Sequence, residues 1–253
     1  MFDPAGAVET FQLALLRVLE TGKERSRWVV KGGVNLRAWF GSPRRSEDLD
    51  LDALSWPRGA LAERLDAVFA SQVLATLLDS RGLRIVRTSK SKQTDTTQRW
   101  KVALASPSTV APVHTRIEFS HRGSGESFAL EPVRPEIARP HGIPAPTANH
   151  YVAAAAARQK IVALGLRRVA QARDVFDLDH LFRVAAAKPR PLGRAERAAL
   201  HAALDRAMEM SFDEYRAQVV PFLVPEQQPV FGTRDAWERM QELVVDHLTE
   251  IGR

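Results

Sequence analysis

Apolar positions change their period along this chain, and each change marks an element. Phe11, Leu13, Leu15, Leu16 and Leu19 recur at mostly helical spacing, which predicts an amphipathic helix over Val8 to Thr21 followed by a turn at Gly22. Trp28, Val29 and Val30 form a brief apolar run that stops at Gly32-Gly33, and Val34 to Phe40 then reads as a two-turn helix ended by Gly41. In Ser46-Glu47-Asp48-Leu49-Asp50-Leu51-Asp52, acid and leucine alternate with the period of a strand. Asp48, Asp50 and Asp52 therefore share one face, and Leu49 and Leu51 the other. After a break at Trp56 to Gly59, Leu61, Leu65, Val68, Phe69, Leu74, Leu77 and Leu78 predict one helix running to about Ser80.

Leu83 to Arg87 and Arg99 to Leu104 read as two strands of a hairpin joined by the polar loop Ser89 to Thr97. Pro112 to Ser120 is a further strand with His114, Arg116 and Glu118 on one face. Pro132 to Pro146 holds five prolines and a glycine, so the domain boundary is expected there, separating 1–145 from 146–253. The remainder is helical in pattern: Ala148 to Leu164, Gln171 to Ala187, Arg194 to Met210, Asp213 to Phe222 and Asp235 to Ile251. A sheet carrying packed helices is thus expected first, and a helical half second.

Composition narrows the class. With 253 residues, 45% of them hydrophobic and 26% charged, the chain suits an ordinary globular protein of one large or two modest domains. The absence of cysteine excludes a disulfide framework, a thiolate metal site and a cysteine nucleophile. The first twenty residues lack the basic and apolar regions of a secretion signal, and no apolar run approaches a membrane span, so a cytoplasmic location is expected and no membrane partner. The net charge of +6 favours polyanionic partners, although arginine-rich usage also follows from a GC-rich genome. Arg81, Arg84, Arg87, Lys90, Lys92, Arg99 and Lys101 stand against Asp95 alone, making the hairpin the candidate footprint on RNA. A solvated hairpin whose charges discourage edge-to-edge pairing fits the same residues.

The chemistry is concentrated between Trp28 and Ala53. Strand, glycine turn and helix in succession offer an anion seat, because free N–H groups at the helix start face whatever lies over the turn. Aligned carboxylates repel one another, and a hard cation such as Mg²⁺ held by one or two carboxylates and substrate phosphates relieves that repulsion. The pair of features suggests a nucleoside triphosphate site, against the plainer reading of a turn and a solvated acidic strand. His114 and His121 lack metal-ligand companions and read as surface histidines. Further on, Lys160 lies on one helical stripe with Ala153, Ala156, Ala157 and Leu164, and Asp174 and Asp177 share another with Leu178 and Leu181. Buried acids need partners, and Lys160, Arg173, a helix N-terminus or a metal are the candidates.

The residues Gly32-Gly33, Leu36, Arg45-Ser46 and Asp48-Leu49-Asp50-Leu51 resemble the AbiEii/AbiGii group of nucleotidyltransferase-like toxins, MenT-like proteins included, within the DNA polymerase β-type superfamily. Lys160 with the following Ala-Leu stretch, and Arg173-Asp174-Val175-Phe176-Asp177-Leu178, extend the resemblance. Gly-Gly replaces the Gly-Ser of the wider superfamily, which favours the toxin branch. The resemblance covers Lys31 to Asp52 and Lys160 to Leu181, not the basic hairpin or the last seventy or so residues. It implies an α+β fold: a polymerase β-type domain, a mixed sheet with flanking helices, followed by a helical domain. It also implies a toxin of a toxin–antitoxin or phage-defence pair, opposed by a cognate antitoxin, that transfers a nucleotide from an NTP to RNA, with tRNA as a candidate acceptor. By that likeness Asp48 and Asp50, with Glu118 as a third acid, hold Mg²⁺ or Mn²⁺. Gly32, Gly33, Arg45 and Ser46 receive the triphosphate, Lys160 neutralises it, and Asp174 assists catalysis, while Asp177 reads as a structural ion pair. A small-molecule nucleotidyltransferase of the aminoglycoside-inactivating type and a non-catalytic nucleotide- or partner-binding protein are the alternatives.

Overall fold

The computed structural model describes residues 3–21, 23–123 and 125–253, so the turn expected at Gly22 lies outside the described residues. Two compact units divide the chain: Met1–Gly41 with Arg45–Tyr151, and Ser42–Arg44 with Val152–Arg253. In the first, α1 (Pro4–Leu19) precedes β1 (Trp28–Lys31), α2 (Gly32–Phe40), β2 (Asp48–Ala53), α3 (Arg58–Phe69) and α4 (Gln72–Asp79). Then come β3 (Arg84–Gln93), β4 (Thr97–Ala105), β5 (Val113–Ser120), β6 (Phe128–Pro132), the single turn α5 (Pro135–Ala138) and β7 (Thr147–Tyr151). The strands form one mixed sheet in the order β3-β4-β5-β2-β1-β7-β6. β2 runs parallel to β5 and β1 to β7, and the other neighbours are antiparallel.

Period-two alternation makes this sheet two-faced. Leu49, Leu51, Trp100, Val102, Leu104, Ile117 and Phe119 are all buried and join Phe11, Leu15, Leu61, Leu65, Leu74 and Leu78 of the helices in a single core. The residues between them on β2, β5 and β4 are mostly charged and lie on the opposite face. Trp100 and Trp56 both meet Phe119 edge to face, with ring centroids 6.1 and 6.0 Å apart.

Several of the expected elements are corrected. The helix read over Leu61 to Ser80 is two, because Ser71 ends the first run and caps α4 by accepting from the Leu74 N–H at 3.2 Å. The hairpin strands extend to Gln93 and from Thr97, leaving a connection of three residues where a long loop was expected. The proline segment, where the boundary was expected, is flanked by β6 and β7, which pair with each other, and the first compact unit continues to Tyr151. Ala148 to Tyr151 has no apolar alternation and was expected to open a helix. It is a strand because β1 and β6 lie on either side, and the Asn149 amide donates to the Arg25 and Trp28 carbonyls at 2.9 and 3.1 Å.

One acid is buried on the apolar helix α1. Glu9 accepts from Arg37 Nε at 2.7 Å and Arg45 Nε at 3.1 Å and contacts His141 Nε2 at 3.1 Å. Burial alone would raise its pKa, but the His141 hydrogen bond and the charges of Arg37 and His141 outweigh that and hold it down at about 2. A carboxyl so depressed stabilises the fold above its unfolded value of 4.5, and that stability is lost as pH falls toward 2. The contribution is roughly 3 kcal/mol. Urea unfolding across this window should show a steep acid loss in the parent protein. In Glu9→Gln that pH dependence should flatten, from a lower starting stability at neutral pH; an unchanged slope would discount the pair.

The second unit contains α6 (Ala153–Leu166), α7 (Ala172–Arg183), α8 (Arg194–Glu209), α9 (Phe212–Gln218), the single turn α10 (Gln228–Phe231) and α11 (Arg234–Gly252). A side chain at Gly165 would run into the backbone and Cβ of Ala199, so glycine is what lets α6 and α8 approach this closely. Tyr215 stacks on Trp237 at 4.5 Å and donates to the Phe231 carbonyl at 2.9 Å; burial raises its phenol pKa. The short segment Ser42–Arg44 belongs to this unit, with Arg44 bridged to Leu223 and the Val224 N–H donating to the Pro43 carbonyl at 2.9 Å.

Candidate active site

The first unit assembles its acids by strand register. Along β2, Asp48, Asp50 and Asp52 alternate with buried leucines, and β5 places Arg116, Glu118 and Ser120 directly beside them in that order. On the other side β1 sets Lys31 beside Asp50. Gly32 follows Lys31 with φ +66°, in the left-handed region that glycine tolerates. A Cβ there would lie 3.0 Å from Asp50 Oδ2, so the glycine turn runs close beside Asp50 and a side chain at this position would crowd that carboxylate. Ser46 donates its hydroxyl to the Asp48 carbonyl at 2.8 Å, which fixes the entry into β2.

Each carboxylate has a different setting. Asp48 is held at both oxygens by Arg116, with Nε at 2.9 Å from Oδ1 and Nη2 on Oδ2. The bond to Asp48 and the charges of Asp48, Asp50 and Glu47 outweigh partial burial and raise the pKa of Arg116. Glu118, opposite Asp50, is engaged through Oε2 by Arg99 at 2.7 Å. Asp52 is buried and accepts from Lys31 Nζ and from Tyr151 Oη, both at 2.6 Å, which makes it a structural acid closing the inner end of the row. Arg116, Arg99, Lys31 and Tyr151 were not among the expected site residues. The signal for Arg116 was present in its shared face with Glu118, whereas the pairing of Arg99 and Lys31 follows only from register.

The donor set suits a hard divalent ion. Among the described residues no three His, Asp or Glu side chains are gathered tightly enough to form an all-protein cage. Asp48 and Asp50 on one strand face, next to a glycine turn, are the residues that would hold such an ion together with phosphate oxygens and water, Arg116 first releasing Asp48. Arg45, expected at the phosphates, donates to Asp3 at 2.8 Å and to Glu9 at 3.1 Å, its side chain lying against α1. His114 is exposed, while His121 is half-buried beside Gln98 at 2.9 Å, and burial lowers its pKa.

The helical unit has its own charged cluster. Lys160 on α6 reaches two of the three acids of α7, at 2.9 Å to Asp174 Oδ1 and 2.6 Å to Asp177 Oδ2. Arg167 takes the other Asp174 oxygen at 2.6 Å, and Arg44 grips Asp177 through Nε at 3.1 Å and Nη2 at 2.8 Å. Both acids have no exposed surface. Burial opposes ionisation of Asp177, but the charges of Arg44 and Lys160 prevail and hold its pKa far below the usual carboxylate range. The ion-pair reading of Asp177 and its partner Lys160 were legible; Arg44 as the second cation was not.

The family model for the nucleotidyl transferase AbiEii toxin of type IV toxin–antitoxin systems matches residues 13–250. The chain belongs to the AbiEii family. It is therefore a nucleotidyltransferase of the toxin type, with a nucleoside triphosphate as substrate and an antitoxin as the partner the family implies. No curated protein matches it in sequence. Among solved structures it is similar to MenT4, a nucleotidyltransferase toxin from Mycobacterium tuberculosis H37Rv, at 21% identity and TM-score 0.68, covering 97% of this chain and 84% of that one. It is also similar to JHP933 from Helicobacter pylori, at 17% identity and TM-score 0.61, covering 99% and 95%. At these identities the likeness is one of fold, and the mixed sheet and helices of this AbiEii member agree with it. No helix among the described residues is long and apolar enough to cross a membrane.

Proposed function

We propose that this AbiEii toxin transfers a nucleoside monophosphate from an NTP to a hydroxyl of RNA, with tRNA as the leading acceptor, using Mg²⁺ or Mn²⁺ bound by Asp48 and Asp50. The observation that supports this reading is the closeness of the Gly32 turn to Asp50, whose Oδ2 would lie 3.0 Å from a Cβ at Gly32. The ion supplies charge stabilisation for the attacking and leaving oxygens when bound. The acceptor oxygen forms a bond to the α-phosphorus, the α–β bridge bond breaks, pyrophosphate departs with the bonding pair and the hydroxyl proton passes to solvent. Gly32, Gly33 and Ser46 shape the seat. Glu118 serves as a third acid once Arg99 yields its oxygen. The two cations on buried Asp174 support a positioning role for it rather than that of a base.

The test is incubation of the purified protein with each labelled triphosphate, Mg²⁺ and either total RNA, purified tRNA or an aminoglycoside panel. Label is expected on RNA, most heavily on tRNA, with stoichiometric pyrophosphate. Label on an aminoglycoside alone, or on nothing, overturns the assignment.

A further inference from the structure

The cations of the hairpin are not distributed at random over its two sides. Register places Lys92 beside Arg99, and Arg99 beside Glu118, which lies beside Asp50; all four share the open face of the sheet. The neighbouring row runs Ser89, Lys101, Arg116, Asp48, and the next brings Arg87 beside Ala103 and His114. Lys90 belongs to the other face: it pairs with Trp100, which is buried, and its amine bonds Asp66 of α3 at 2.7 Å. Arg87, Lys92 and Lys101 are exposed and make no ion pair among the described residues.

Protection of an exposed edge explains cations on β3, the edge strand. It does not explain Lys101 and Arg99 on β4 or Arg116 on β5, which are interior strands paired on both sides. Those residues project from the open face of the sheet, in rows that end on the acid pair. A polyanion whose reacting hydroxyl must arrive at Asp48 and Asp50 needs its preceding phosphates neutralised along one line, and these rows supply it. Three strand spacings separate β2 from β3, about 14 Å at 4.7–4.9 Å each. At a rise of about 3.4 Å per stacked nucleotide this accommodates roughly four nucleotides.

We propose that the open sheet face is the acceptor seat for a single-stranded RNA end. The strand lies across β3, β4 and β5 with its phosphates on Lys92, Arg87 and Lys101, and its terminal hydroxyl reaches the row of Asp48 and Asp50. This rests on the RNA-transfer reading above and names the surface that reading needs. Arg116 and Arg99 stand at the junction, each already paired with an acid, and the unpaired cations lie outward of them.

The experiment uses the full chain and a fluorescently labelled single-stranded oligoribonucleotide, with a blunt, fully paired RNA hairpin for comparison. Anisotropy is read over a salt series, and nucleotide transfer to the same RNAs is measured in parallel. The combined variant Arg87→Ala, Lys92→Ala, Lys101→Ala should weaken single-strand binding more than ten-fold and flatten the slope of log affinity against log salt by about 2, since three contacts are removed at about 0.7 each. Its KM for RNA should rise while turnover at saturating RNA stays near that of the parent, and its melting temperature should be unchanged because all three side chains are exposed. Lys90→Ala, on the helix-packed face, should bind and turn over as the parent does. If the triple variant binds RNA as tightly as a parent that does label RNA, the seat is wrong and the transfer reading stands. If Lys90→Ala weakens binding as much as Lys101→Ala made alone, the face assignment fails. A blunt hairpin binding better than the single strand overturns the single-strand claim, and a parent that neither binds nor labels RNA removes both readings together.

Discussion

Replacing Asp48 or Asp50 by alanine is expected to reduce nucleotide transfer by at least 10²–10³-fold, the scale on which a single electrostatic contact to the reacting group acts in a closed site. Both side chains project from β2 beside the glycine turn, and Gly32 runs close beside Asp50. The fold should survive. Asp48 is only part-buried, and Arg116, which loses its partner, has a side chain 48% exposed and regains water on release. Exposed ion pairs contribute about 0–1 kcal/mol, so the melting temperature should move little. The measurement is labelled-nucleotide incorporation alongside thermal unfolding. Full incorporation by either variant would refute the assignment of the acid pair. A large fall in melting temperature would instead mark Asp48 as a structural acid, as Asp52 is between Lys31 and Tyr151.

The opposite signature is expected at Asp177. Its carboxylate has no exposed surface and joins Arg44 to Lys160, both of them almost fully buried. Asp177→Ala leaves two buried cations with one fewer anion. Removing one partner of such a pair costs about 3–5 kcal/mol, because the remaining charge stays out of water without compensation. For a protein of this size that corresponds to a fall in melting temperature on the order of 10 °C. Asp177→Asn, which keeps the volume and can still accept hydrogen bonds, should fall less. Circular dichroism melts of the two variants decide the matter: equal melting of Asp177→Ala and parent would show that the cluster is not what stabilises the helical unit. Asp48 and Asp177, both acids of the resemblance, are thus separated by burial and by partner, one expected to govern rate and the other stability.

How much of this was legible depended on whether the cause was local. The alternation from Asp48 to Asp52 states its own strand and face, since the side-chain period of a strand is two regardless of what lies beside it. Gly32 announces a turn because few other residues adopt its backbone conformation, and the main helices of the second unit follow from a 3.6-residue period. The same local reasoning misread Ala148 to Tyr151, whose strand exists only because β1 and β6 provide partners, and it merged α3 with α4 across a cap at Ser71.

By itself, then, the chain determined the acid-bearing strand, the glycine turn ahead of it, the basic hairpin and the helical second half, all consequences of spacing within one element. Tertiary structure alone decided which charges meet. Asp50 lies beside Glu118, Asp48 under Arg116 and Asp177 against Arg44, pairs separated by 68, 68 and 133 positions. It also decided which hairpin cations share the acids' face. Strand register and helix packing bring such residues together through hydrogen bonds and burial across the whole fold, and no period within a single segment records who the neighbour will be.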